Sequence, residues 1–374
     1  MDIKAVSNEK RKTHALIMAD IEHHLETKQF NDSLIIQSDF ALERARYNEE
    51  IAEIQNVVYL SVIGFIILGA SLFFFVNSNR RRKRLNEILS GKNELIQEQK
   101  AIVDEKNKSI SDSINYARRL QTAILPTTVQ INEYLPESFL FFRPKDIVSG
   151  DFYWFEVSDD ICFLAVADCT GHGVPGALVS VVCSNALNRS VHEFKIVQPK
   201  KILDKTRELV IDTFAKSGDA VADGMDISLM AINRRDQKVV FSGAHNSLWI
   251  IRDNAFILND EQHQKHIFKG EKSSLIEFKG DKQPVGLYER MDNFTEQEIE
   301  LKNGDTLYLL SDGFADQFGG KDEKKFKHVP FKRELLRIHT LSMEEQKEHL
   351  IKVFDAWKGE LDQIDDVCVL GVRI

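Results

Sequence analysis

The 374-residue chain predicts an α+β fold: two stacked antiparallel β-sheets flanked by helices, preceded by a transmembrane helix and a long signalling helix. Three observations lead there. From residue 139 onward, short runs of apolar residues bounded by polar turns alternate with pairs of helical segments, the pattern of layered sheets covered by helices. Residues 57–76 are an uncharged stretch rich in Val, Ile, Leu and Phe, long enough to cross about 30 Å of hydrocarbon at about 1.5 Å per helical residue. Between these parts lies a polar, proline-free stretch with apolar pairs one heptad apart, Ile88-Leu89, Leu95-Ile96 and Ile102-Val103, which marks a long helix with a thin seam.

With 43% hydrophobic and 29% charged residues, the composition is globular rather than disordered. A net charge of −9 and the lack of a basic stripe with interleaved aromatics argue against nucleic acid as a partner. Cys162, Cys169, Cys183 and Cys368 lie in or beside apolar runs without Cys-x-x-Cys spacing, so buried free thiols are expected rather than zinc ligands or disulfides.

Taken in order, residues 1–56 form a short acidic segment with irregular apolar spacing, suited to one or two amphipathic helices and unlike a cleavable signal peptide. Residues 57–76 are the transmembrane helix. The cluster Arg80-Arg81-Arg82-Lys83-Arg84 comes directly after it and by the positive-inside rule holds the downstream chain in the cytoplasm, leaving the N-terminus outside a cell membrane crossed once. Residues 77–125 are the cytoplasmic signalling helix. From Ile110 its seam tightens to alternating four- and three-residue steps through Ile114, Ala117, Gln121 and Ile124, the spacing of a two-helix coiled-coil interface and hence of a homodimer. Gln121 is a polar residue in that seam and therefore a candidate regulatory switch. Pro126 ends the helix. In 126–374 strands are expected at 139–142, 152–157, 161–167, 227–231, 239–241, 248–251 and 367–374, and helices at 174–193, 201–214 and within 334–357, with Pro175 at the first helical position of its helix.

The chemistry is carried by acids at strand ends. The run Ile161 to Ala167 delivers Asp168 into a turn with three glycines; Thr306 to Leu310 leads to Asp312-Gly313; Asp365 and Asp366 precede Val367; and Asp151 comes after Gly150 and before an aromatic strand. Carboxylates are hard oxygen ligands suited to magnesium or manganese, and strand ends are where residues distant in sequence converge.

The ordered series SGDFYW, VADCTGHGVPGA, SDGFADQ and QIDDVCVLGV resembles the SpoIIE/RsbU branch of the metal-dependent (PPM) serine/threonine protein phosphatases, over roughly 110–374. The resemblance implies a β-sandwich that hydrolyses phosphoserine or phosphothreonine on a regulatory protein, with water activated by two or more Mn2+ or Mg2+ ions. Residue by residue it implies Asp168 as bridging ligand, Asp151 on one metal, Asp312 and Asp365 on the other, and the backbone carbonyl of Cys169 completing the set. Asp366 and Asp305 are the nearest rivals. By the same resemblance YARRLQTAILP is similar to a regulatory helix that contributes to dimerisation, and the substrate is a phosphorylated STAS-type anti-sigma-factor antagonist in a partner switch. Arg143 and Lys145 are candidate phosphate contacts. His172 suits proton transfer but a loop-packing role is preferred, and Gly-Ala-His245-Asn246-Ser247 departs from the family's Gly-His-Asn-Pro, so His245 receives no role. A histidine kinase is set aside because no histidine lies between Arg80 and Pro126, and a nucleotide cyclase because its second acid and tandem glycines are missing. The alternative is a non-catalytic, membrane-anchored phosphoprotein-binding module of the same fold, which the four acids disfavour.

Overall fold

The computed structural model describes residues 3–216, 223–233, 235–236, 238–257 and 266–374. The chain divides into two compact units, Met1–Val103 and Asp104–Ile374. Helix α1 (Ile3–Ile124) takes in both the N-terminal segment and the signalling segment without a break; there is no proline before Pro126 to interrupt it. Among the described residues the first unit is helix alone, and nothing else in it covers the apolar run at 57–76, where Phe65 and Phe74 stand open. Its most apolar 18-residue window has a mean hydropathy of 2.4, so the helix is long and apolar enough to cross a membrane by length and composition.

In the second unit, α2 (Thr128–Tyr134) comes after α1. It is absent from the sequence-based expectation, although Thr127 and Gln130 form a capping box at its start. The remaining elements are β1 (Ser138–Arg143), β2 (Phe152–Ser158), β3 (Ile161–Cys169), α3 (Gly173–His192), α4 (Pro199–Ala215), β4 (Gly224–Asn233), β5 (Lys238–Ala244), β6 (Leu248–Asp253), β7 (Ile267–Lys269), β8 (Ser273–Phe278), β9 (Val285–Gly286), β10 (Gln297–Glu300), β11 (Thr306–Leu310), α5 (Gly313–Asp316), β12 (Phe318–Gly319), β13 (Lys324–Lys325), α6 (His328–Ile338), α7 (Met343–Lys358) and β14 (Val367–Arg373). One sheet runs β1-β14-β11-β6-β8-β7 and the other β10-β5-β4-β3-β2, with β9 on β4. Every pairing within these sheets is antiparallel. Strands β8 and β10 are not evident from the sequence: β8 carries Glu277 and two serines among its apolar residues, and β10 has only four residues, two of them glutamates.

Three cores explain why β3 reads as an unbroken apolar run. Its Cys162, Leu164 and Val166 point between the sheets, against residues such as Leu307, Leu309 and Leu370. Its Phe163, Ala165 and Ala167 point outward under α3 and α4, with Leu187, Ile202 and Val210. A strand covered on both faces has no polar side to show. On the far side, Tyr308, Val367 and Val369 pack under α6 and α7 with Phe331 and Phe354. The order is helix, sheet, sheet, helix. Helix α3 begins ahead of the expected Pro175 start, with His172 as N-cap and Pro175 in the first turn, where a missing N–H still costs no helical hydrogen bond. All four cysteines are buried and none is in a disulfide.

Candidate metal centre

Antiparallel pairing brings the acids to one rim of the sandwich. Phe152 pairs with Ala167, so Asp151, just before β2, lies beside Asp168 near the end of β3. Leu310 pairs with Val369, which sets Asp312, just after β11, beside Asp365, just before β14. The alternation along β3 turns Asp168 to the inner face with Leu164 and Val166, toward the sheet that carries Asp312 and Asp365. Cys169 alternates the other way and buries its thiol under the helices, while the residue also lines the cleft at this rim. The glycines in these motifs are there for contact between backbones. A Cβ on Gly150 would come 2.4 Å from the Gly171 carbonyl oxygen, one on Gly176 2.1 Å from the same atom, and one on Gly313 1.9 Å from the Asp366 carbonyl oxygen.

The acids are held close together without cations to match. Asp151 is 2% exposed, and its Oδ2 is buried with no hydrogen-bond partner. Burial and then the charge of Asp168 push its carboxyl well above the usual carboxylate range, although Ser311 pulls the other way. Burial, reinforced by Asp312, Asp365 and Asp226, pushes Asp168 up to about 8. Asp312 reaches solvent at the mouth, yet the protein around it and the charge of Asp365 push it up to about 6. Asp365 is raised by its burial. Such mutual elevation is what a divalent cation relieves, and buried carboxylate oxygens are the donors that Mg2+ and Mn2+ prefer. The set fits such an ion in charge, donor type and the orphaned Asp151 oxygen. Among the described residues, no group of three or more His, Cys, Asp or Glu side chains is gathered in a geometry that grips an ion as it stands; Asp168, Asp226, Asp365 and His172 line a cleft of about 310 Å3, whereas Asp151 and Asp312 are not part of its lining.

The two rivals have other work. Asp305 is 1% exposed and is gripped by Arg252, with Nη2 to Oδ2 at 2.6 Å and Nε to Oδ1 at 3.0 Å, away from this rim. Asp366 accepts hydrogen bonds from the backbone N–H groups of Lys145 and Gly150, each at 2.7 Å, and so ties the loop before β2 to the start of β14. Gln121, expected in a seam between helices, instead turns onto the loop before β2 and onto α3 and is 6% exposed. Its Nε2 donates to the Ser149 carbonyl at 2.6 Å and to Ser180 Oγ at 2.9 Å, and its Oε1 accepts from the Ser149 N–H at 3.1 Å. Ser149-Gly150-Asp151 is thus fastened by Gln121 on one side and by Asp366 on the other.

The candidate phosphate contacts separate. Arg143 is not brought to the cleft: its guanidinium pairs with Asp355 of α7 and lies over Phe141 and Phe354. The end of β1 aims that side chain at the outer helices. Lys145 is at the rim, with Nζ 3.3 Å from His172 Nε2, and His172 Nδ1 is 3.0 Å from Asp146 Oδ2. Since an ammonium only donates and a carboxylate only accepts, this suits a ring protonated at Nδ1 that accepts at Nε2. The acid that sequence reasoning missed is Asp226, directly opposite Asp168 in the β3–β4 register and hydrogen-bonded to His245 Nδ1 at 2.9 Å. It sits at the start of a strand like the others, but only the pairing register reveals its neighbour.

The family model for stage II sporulation protein E (SpoIIE) matches residues 158–374. Among solved structures, the chain is similar to the SiaA-PP2C domain of Pseudomonas aeruginosa at 30% identity, with a TM-score of 0.61, over 72% of this chain and 98% of that one. It is also similar to the PP2C phosphatase domain with a regulatory fragment of SpoIIE from Bacillus subtilis, at 18% identity and a TM-score of 0.47, over 64% of this chain and 63% of that one. The RsbU and RsbW domains of a Mycobacterium tuberculosis protein match at 16% identity and a TM-score of 0.45, over 64% of this chain and 60% of that one. No curated protein matches the chain.

Proposed function

The chain belongs to the SpoIIE family of PP2C-type phosphatases, and from that premise we propose that it is a membrane-anchored, Mn2+- or Mg2+-dependent protein serine/threonine phosphatase acting on a regulatory phosphoprotein. The observation that carries this reading is the ring of raised carboxylates around Asp151, whose Oδ2 is buried with no hydrogen-bond partner. Divalent ions bound there lower the pKa of a water and offset the charge of a phosphoryl group. In this assignment Asp168 would be shared between the ions, Asp151 would serve one, Asp312 and Asp365 the other, and the Cys169 carbonyl would complete the set. Asp366 and Gln121 position Asp151 through its loop. Lys145, at the rim beside His172, offers an ammonium to phosphoryl oxygens.

The apolar run at 57–76 and the basic cluster after it support a single-pass membrane anchor, with the phosphatase domain in the cytoplasm and the N-terminus outside. The exposed heptad-spaced pairs Ile88-Leu89, Leu95-Ile96 and Ile102-Val103 of the signalling helix support pairing of two copies. The substrate, by analogy with the family, is a phosphorylated STAS-type antagonist whose dephosphorylation releases a partner switch. The test uses the purified full-length chain in detergent against a panel of phosphorylated STAS-domain proteins, with Mn2+, Mg2+ or chelator. Metal-dependent, chelator-reversible release of phosphate supports the reading. Stable binding of a phosphorylated panel member without any turnover would replace it by the non-catalytic module.

A further inference from the structure

The cleft of about 310 Å3 takes a phosphoryl side chain but not the protein behind it, so a phosphoprotein must rest on the rim. One stretch of that rim is built unlike the rest. Pro284 and Gly286 line the cleft, and β9 (Val285–Gly286) pairs with Gly224 and Met225, next to Asp226. The chain then leaves as an irregular loop over 287–293 whose apolar side chains stand outward: Leu287 is 38% exposed, Tyr288 45% and Met291 47%.

Exposed apolar residues on a floppy loop would mean little, but this loop is stapled. Gln283, 5% exposed, donates from Nε2 to the Asp292 carbonyl at 2.8 Å and accepts from the Asp292 N–H at 3.0 Å. Arg207 of α4, 8% exposed, donates from Nη1 to the same carbonyl at 2.9 Å and to Gln283 Oε1 at 3.2 Å, and stacks over Phe294 at 4.8 Å. Asp204 accepts from the Phe294 N–H at 3.0 Å, and Asp281 from the Thr295 N–H at 2.7 Å. A buried arginine, a buried glutamine and two aspartates fix the loop's exit at 292–295, and the pairing of β9 with β4 fixes its entry, so its apolar side chains are presented on a held frame. Its charges are few: Arg290 pairs with Asp292 at 2.9 Å, and Glu289 is exposed. Fixing a loop in advance lowers the ordering cost of binding, and apolar anchors in such a frame carry most of an interface's affinity.

We propose that Leu287, Tyr288 and Met291 are the docking surface for the phosphoprotein substrate, seating an apolar patch of a folded partner beside its phosphorylated residue, with Arg207 and Gln283 as positioning residues. The proposal rests on the phosphatase reading above and adds which part of the molecule selects the substrate. The test compares the full-length chain with Leu287→Ser/Met291→Ser, both exposed positions, on two substrates with Mn2+: p-nitrophenyl phosphate, which reaches only the cleft, and a panel of phosphorylated STAS-domain proteins. Expected is at least a tenfold fall in kcat/KM on the protein, carried by KM, with p-nitrophenyl phosphate turnover within twofold of wild type. Gln283→Ala should move the same ratio in the same direction. An equal fall on both substrates, or no change on either, overturns the proposal. So does a wild type that hydrolyses p-nitrophenyl phosphate but no panel member, and so does a change confined to self-association, which would make a second copy the occupant. Failure of the phosphatase reading looks different: neither substrate turns over in the wild type, and Asp168→Asn changes nothing.

Discussion

Asp151 and Asp305 are both aspartates at strand ends, 2% and 1% exposed, and they differ only in what meets them. Asp305 receives three contacts from the Arg252 guanidinium and the N–H of Lys302. Asp151 faces other carboxylates, and one of its oxygens meets nothing. Burying a carboxylate costs several kcal/mol unless a cation accompanies it. At Asp305 the chain supplies that cation itself, so the acid is structural. At Asp151 no side-chain cation is supplied, and in the proposed reading a bound divalent ion would complete the balance. Burial alone does not mark a functional acid; burial without a counter-charge does.

The strongest way to break that contrast is Asp168→Asn. Turnover should fall about a thousandfold, ~4 kcal/mol in the transition state, while the metal-free protein melts at a higher temperature than wild type, since one of the repelling charges is gone. Residual turnover above about a tenth of wild type would sink the bridging assignment. Asp305→Asn should do the opposite. It strands Arg252 in the core and costs about 3 kcal/mol of stability, read by urea unfolding, yet leaves kcat on p-nitrophenyl phosphate unchanged while the protein is folded. A large loss of turnover there would erase the distinction between the two sites.

A finer test uses pH. Asp168, pushed up to about 8, and Asp312, up to about 6, hold protons in the folded chain that the unfolded chain gives up near pH 4. Their contribution to stability is therefore full below about pH 4 and is lost as pH rises toward 8. In the metal-free protein the melting-temperature advantage of Asp168→Asn over wild type should be absent near pH 4, grow up to about pH 8, and shrink on adding Mn2+ at high pH. A constant gap across that range would count against the acids as a repelling set.

The smallest effect is expected at Gln121→Leu. Leucine leaves the Ser149 N–H and carbonyl without their partner, worth about 1–3 kcal/mol, in the loop that carries Asp151. Because Asp366 still holds Gly150, Mn2+ affinity and turnover should shift only about fivefold. Measured across protein concentrations, an unchanged affinity would show that Asp366 alone positions Asp151, and that the helix is only a tether.

The sequence by itself determined the parts whose physics is local. The apolar run of β3, the uncharged run at 57–76, the cysteines within apolar runs and the acids beside glycines all derive from composition and spacing along a few residues. So did most strands and helices of the sandwich, because each carries its own periodicity. Only the tertiary structure decided which acids share a rim, since that depends on register: Asp226 reaches Asp168 through the β3–β4 pairing, and Asp366 serves the loop before β2 while its neighbour Asp365 faces the cleft. It likewise sent Arg143 to Asp355 rather than to phosphate, and Gln121 to Ser149 rather than to a partner helix. A side chain's type is written in the chain, but its direction and its counter-charge are set by residues tens to hundreds of positions away, which no local pattern records.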